Sequence, residues 1–141
     1  YLNELNGNDK FMELQNRDTK DIPLEGVYIC KDSENDEPVW VCDDRTLAPG
    51  QFLLLYSEDV QADHPTQPEA LIFHSGLSAK KNVRIQLFNP AGSSIDDFNL
   101  TAIAKTAPAS YSRNTDKKWA HAPATPGAAN QESTDYVIGL Q

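Results

Sequence analysis

Residues suited to metal or redox chemistry are scarce, with two cysteines, three histidines and one methionine in 141 residues. His64, His74 and His121 stand singly, with no cysteine or second histidine at ligand spacing, which excludes a zinc site of the usual pattern. No apolar run approaches the ~20 residues of a membrane-spanning helix. Basic residues are outnumbered, 12 against 21 acids, for a net charge of −9. The imbalance sits in residues 1–69, which hold 16 acids and 5 bases, whereas residues 70–141 hold 5 acids and 7 bases. Phosphate backbones reward clustered Lys and Arg. Nucleic acid is therefore not the expected partner, and Lys80-Lys81 with Arg84, and Lys117-Lys118 with Arg113, read as solvated turn residues. The chain opens at Tyr1 with no Met and no secretory-signal series, the pattern of a mature or excised stretch.

Catalytic patterns are missing too. No nucleophile is paired with a base and no glycine-rich phosphate cradle is present. Ser75-Gly76 and Ser78 lie near His74 without a nucleophile elbow. Asp96 and Asp97 alternate across a strand, so at most one faces a given partner. The expectation is a protein that is not an enzyme and needs no cofactor.

What the sequence does have is short apolar and β-branched segments about every ten residues, separated by Gly, Pro, Asn and Asp clusters. That is the spacing of an all-β sandwich, and a chain of this length buries a core without help from metals. Strands are expected near Leu2 to Leu5, Phe11 to Gln15, Gly26 to Cys30, Val39 to Cys42, Phe52 to Tyr56, Val83 to Phe88, Ser94 to Leu100 and Ser110 to Arg113, with a short one at Trp119. Period-2 alternation is clear in Phe11-Met12-Glu13-Leu14 and Val83-Arg84-Ile85-Gln86-Leu87, the mark of a sheet with one dry face. Glu58 to Ala70, punctuated by Pro65 and Pro68, reads as a long surface loop. Residues 1–130 form the expected domain; residues 131–141 read as a linker or an extra strand towards a following domain.

Two local patterns carry chemical expectations. A hairpin turning around Asp36 sets Cys30 opposite Cys42 on one face, giving either a cross-strand disulfide or two buried thiols. Asp32, Glu34 and Asp36 present oxygens at alternate positions, a weak calcium pattern. Glu37 stands where a calcium loop requires Gly, and the flanks are β-rich, so a solvated acidic turn is the simpler reading.

The order of signals resembles the lamin tail domain family. Leu2-Asn3-Glu4-Leu5 with Phe11-Met12-Glu13-Leu14-Gln15-Asn16 is similar to its opening strand pair. Pro23-Leu24-Glu25-Gly26-Val27-Tyr28-Ile29 and Leu47-Ala48-Pro49-Gly50-Gln51-Phe52 are similar to its central strand entries. Ser110-Tyr111-Ser112-Arg113, Trp119 and Thr125-Pro126-Gly127-Ala128-Ala129-Asn130 resemble its closing signature. Ser112, Lys117 and Val27 depart from residues common in the family.

The resemblance implies an immunoglobulin-like antiparallel β-sandwich of about eight or nine strands. It also implies a non-catalytic binding or scaffolding module of a larger cell-surface or secreted protein, meeting a protein, glycan or wall partner beside attached domains. The alternative is an accessory domain that positions substrate for an extracytoplasmic hydrolase or nuclease. Glu4, Glu13 and Asn16 are expected as a structural polar cluster, half-buried acceptors that tie adjacent loops through backbone N–H groups. Trp119 is expected to plug one end of the sandwich.

Overall fold

The computed structural model describes residues 1–32, 37–78, 81–100 and 110–137. Two sheets face each other. The first has six strands, β1 (Leu2–Asn6), β2 (Phe11–Gln15), β7 (Phe52–Ser57), β8 (Ile72–Phe73), β11 (Ser110–Arg113) and β12 (Trp119–Ala122). Their spatial order is β12-β11-β1-β2-β7-β8. The second runs β10 (Ser94–Leu100), β9 (Val83–Phe88), β4 (Tyr28–Lys31) and β5 (Trp40–Val41). A small ladder joins β3 (Ile22–Pro23) to β6 (Thr46–Leu47).

Alternation builds the core. In β9, Val83, Ile85 and Leu87 turn inward and Arg84, Gln86 and Phe88 turn outward; in β7, Leu53, Leu55 and Ser57 are the buried set. Leu2, Leu5, Met12 and Leu14 from the first sheet meet Ile29, Trp40 and Phe98 from the second. Each such side chain contributes about 1.5–3 kcal/mol when fully buried. Trp119 is 2% exposed and sets its ring edge-on to Phe98, with centroids 4.9 Å apart.

Turn chemistry closes the connections. Asn6 Oδ1 accepts the N–H groups of Asn8 and Asp9, so the first hairpin is wound by an Asx turn. Thr125-Pro126-Gly127-Ala128 turns with an Ala128 N–H to Thr125 carbonyl bond of 3.0 Å and Gly127 at φ 77°. That is a type II turn, whose third position demands the left-handed region.

Several expectations are corrected. One strand pair is parallel, Tyr56 opposite Ile72 and Ser57 opposite Phe73, so the sandwich is not wholly antiparallel. The short strands β3, β6 and β8 raise the count above nine. Residues 58–70 are not a plain loop: Glu58–Asp63 and Glu69–Leu71 wind as 3-10 turns, the first capped by Ser57 Oγ accepting the Asp59 N–H. These corrections do not extend to the segment after Asn130, expected as a linker or an extra strand, which lies against the sandwich as far as residue 137. Tyr136 bridges to Ala120 at the edge of β12, and Val137 is buried in the core.

The cysteine hairpin has a different register from the expected one. Tyr28 pairs with Val41 and Ile29 with Trp40, while the Cys42 N–H bonds the Val27 carbonyl. Paired residues share a face and neighbours alternate. Cys42 therefore lies with Val27, Ile29 and Trp40 on the core side, and Cys30, paired with Gln86, lies on the other. Both thiols are buried, and no disulfide joins them in this structure. Burial first, and the neighbouring Asp43 charge second, push the Cys42 thiol up to about 11.

Candidate functional site

β1 departs from the alternation rule: all five of its residues are buried. Its inner side meets the core. Its outer side is covered by the segment Thr125 to Asn130, which crosses the sheet as a strap.

Glu4 and Glu13 hold the strap. They are paired in register on adjacent strands, and both side chains are completely buried. Glu4 Oε2 accepts the Thr125 N–H at 3.0 Å, Glu4 Oε1 accepts the Thr125 hydroxyl at 2.7 Å, and Ser110 Oγ donates to Glu4 from the other side. Glu13 Oε2 accepts the Gly127 N–H at 2.6 Å and Oε1 accepts the Asn3 amide at 2.8 Å. No cation among the described residues forms an ion pair with either. Burial, reinforced by the Glu4 charge and opposed by the Gly127 and Asn3 donors, raises the Glu13 carboxyl to about 7.

The third expected member stands apart. Asn16 is buried at the end of β2, where its amide donates to the Lys20 and Leu47 carbonyls, each at 2.8 Å, and its oxygen accepts the Asp18 N–H. It ties β2 to the small β3–β6 ladder, not to the strap.

Asn3 and Asn130 extend the cluster. The Asn130 amide donates to the Asn3 carbonyl, Asn3 Oδ1 and the Arg113 carbonyl, at 3.0, 3.0 and 2.9 Å. Arg113 in turn crosses between the sheets. Its Nη2 contacts both Asp96 oxygens at 2.8 and 2.7 Å, its Nε donates to the Leu2 carbonyl, and its guanidinium lies 4.5 Å from the Trp119 ring centre.

Beside this network, Arg17 lines two clefts of about 370 and 380 Å³. Asn3, Asn16, Arg113, Thr115 and Asn130 wall the first. Tyr1, Ile22, Ile95 and Lys117 wall the second, and both share Gln15, Arg17 and Asp18. Burial and the Arg113 charge lower the Arg17 pKa, against smaller opposing effects of Glu132, Tyr1 and Asp96. An apolar groove of about 210 Å³, floored by Leu14, Leu24, Val27 and Leu87, adjoins at Tyr1, Ile22 and Ile95.

The acidic hairpin offers less. Asp32 Oδ1 accepts the Arg84 N–H at 3.1 Å, which leaves it tied to β9. Glu34 and Asp36 lie outside the described residues. Among the described residues, no three His, Cys, Asp or Glu side chains gather as a metal-holding group.

Residues 1–102 match the Lamin Tail Domain. The chain belongs to the lamin tail domain family. Lamin tail domains are non-catalytic protein or glycan interaction modules, and the family is associated with bacterial cell-surface and secreted proteins. The match takes in Glu4, Glu13, Asn16, Arg17 and Asp96 and ends before β11 and the strap, which the structure joins to them. A search of curated proteins finds no match. Asn3, Arg17, Arg113, Asp96 and Asn130 were not expected as a site from sequence. Polar residues on a strand that must be central, such as Asn3 and Glu4 in Leu2–Asn6, were the available signal.

Proposed function

We propose that this lamin tail domain works outside the cytoplasm as a binding module beside attached domains. Its contact end is the one where Arg17, Lys117, Tyr1 and Ile95 converge. One observation carries the reading: at that end the chain exposes Tyr1 and Ile95 at 40% and 44%, next to two cations, on an otherwise acidic protein. Exposed large apolar side chains rimmed by charge mark interaction surfaces. The strap and the Arg113–Asp96 bridge hold this end rigid, which lowers the entropic cost of binding.

The test is retention of the chain on a glycan array and on a panel of purified extracellular proteins, beside the Ile95→Asp variant. Retention that the variant loses supports the module and its contact end. Retention unchanged in the variant overturns the contact end. Absence of any retention overturns the module and leaves a passive spacer.

A further inference from the structure

Arg17 has no ion-pair partner among the described residues, and Glu132 and Asp96 act on it only from beyond ion-pair distance. Its Nε donates to Gln15 Oε1 at 3.0 Å, Nη1 to the Asn114 carbonyl at 2.8 Å, and Nη2 to Asn3 Oδ1 and the Arg113 carbonyl at 2.9 and 3.2 Å. All four acceptors are neutral oxygens. A guanidinium has five N–H donors, so one on Nη1 has no acceptor among the described residues while the group is locked in place. No carboxylate among the described residues stands within ion-pair distance of it. Arg113, by contrast, is matched by Asp96 at 2.7 Å.

A second cation faces the same space. Lys117 adopts φ 68°, a left-handed conformation uncommon for lysine, and its ammonium bonds the Tyr1 hydroxyl at 3.1 Å, 4.8 Å from the ring centre. Asp18, the one carboxylate on the wall, is exposed, and one of its oxygens takes the Thr19 N–H in its own turn.

We propose that the cleft between Arg17 and Lys117 recognises the carboxylate of an acidic sugar, which makes the ligand a uronate-bearing glycan. The proposal rests on the binding-module reading and deepens it. A planar carboxylate meets the remaining Arg17 N–H and the Lys117 ammonium, forming ion-paired hydrogen bonds that neither cation has among the described residues. The sugar ring lies against Tyr1, Ile22 and Ile95, and a volume of about 380 Å³ falls in the range of small-ligand sites. An acidic peptide is the less suitable occupant, because extended peptides gain affinity by adding a strand to a free edge. β1 and β2 are hydrogen-bonded on both sides, and β10 is interrupted beside Ile95 by an irregularity between Ser94 and Asp96.

The experiment is a two-dimensional amide and guanidinium NMR titration of the chain with sodium glucuronate, alongside glucose, acetate and a blocked aspartyl tripeptide. Saturable shifts at the Arg17 Nε–H and the Lys117 and Ile95 amides are expected with glucuronate. Binding should weaken about tenfold or more for glucose and for the exposed-site variants Lys117→Gln and Ile95→Asp, the loss expected for one charge-assisted contact. Those variants avoid Arg17, whose replacement removes four internal hydrogen bonds. Acetate binding as tightly as glucuronate overturns the sugar assignment, and tighter tripeptide binding replaces it with an acidic peptide. No saturation with any anion overturns the site; retention on the array in that case leaves the module reading standing without it.

Discussion

Glu4 and Glu13 stand opposite each other across β1 and β2, both fully buried, and each grips a different backbone N–H of the same strap. Burial with no ion-paired cation, and to a lesser extent the neighbouring Glu4 charge, makes a charged Glu13 costly. The fold therefore binds a proton that the unfolded chain releases.

The consequence is a pH dependence with a definite sign. Glu13 titrates at about 7 in the fold against 4.5 for an ordinary glutamate. A raised acid contributes stability that is fully present below pH 4.5 and is lost as the pH rises through 7. Relative to Glu13→Gln, which has no such proton, the wild-type chain should lose about 3 kcal/mol of stability between those limits. Gln also carries a pH-independent penalty, since its NH₂ faces either Gly127 N–H or the Asn3 amide. Urea unfolding of both proteins from pH 4 to 8 reads the difference, and a constant gap across that range refutes the linkage.

The Arg113–Asp96 bridge gives a second expectation. Both side chains are about nine-tenths buried, and Asp96 also accepts the Leu2 N–H at 2.9 Å. Removing one partner of a buried pair strands the other charge. Asp96→Ala should cost about 3–5 kcal/mol, and Arg113→Met with Asp96→Leu much less than the sum of the single changes. Denaturant midpoints of the three variants check this; additive losses would show that the two residues act independently.

How much of this was legible beforehand depended on what fixes each feature. Five strands, Phe11–Gln15, Val83–Phe88, Ser94–Leu100, Ser110–Arg113 and the start of β1, follow from alternation and flanking turns, which are local. Ile72-Phe73 and Ile22-Pro23 are two-residue strands whose only signature is a partner elsewhere in the chain, so periodicity passes over them. Which faces Cys30 and Cys42 occupy is not legible, because a shift of an odd number of residues in hairpin register exchanges faces. Glu4 and Glu13 stood out as acids on apolar strands. Arg17 did not, because a lone arginine after a strand carries no local mark of the four distant oxygens that hold it.

Two glycines test how far space, separately from backbone angle, limits substitution. Gly127 and Gly26 have nearly the same φ, 77° and 82°, but a Cβ on Gly127 meets nothing within 4 Å, whereas one on Gly26 comes within 3.1 Å of Pro90. Gly127→Ala should cost about 1 kcal/mol, the left-handed penalty alone. Gly26→Ala adds a clash with a stiff ring and should cost about 2 kcal/mol or more. Thermal melts of the two variants should therefore separate; equal losses would mean the Pro90 turn yields freely.

The thiols supply the last expectation, and it follows from the sheet faces. Cys42 points into the core and Cys30 away from it, with the strand backbone between them, so no rotamer brings the sulfurs to bonding distance without breaking the β4–β5 ladder. Both are buried, and Cys42 is held well above neutral pH in its protonated form. Reactivity belongs to the thiolate. The native chain, prepared without reductant under oxidising conditions, should react slowly with a thiol reagent, and the same material in denaturant should titrate two free sulfhydryls. Fewer than one per chain would mean that the sheet reforms in another register during oxidative folding.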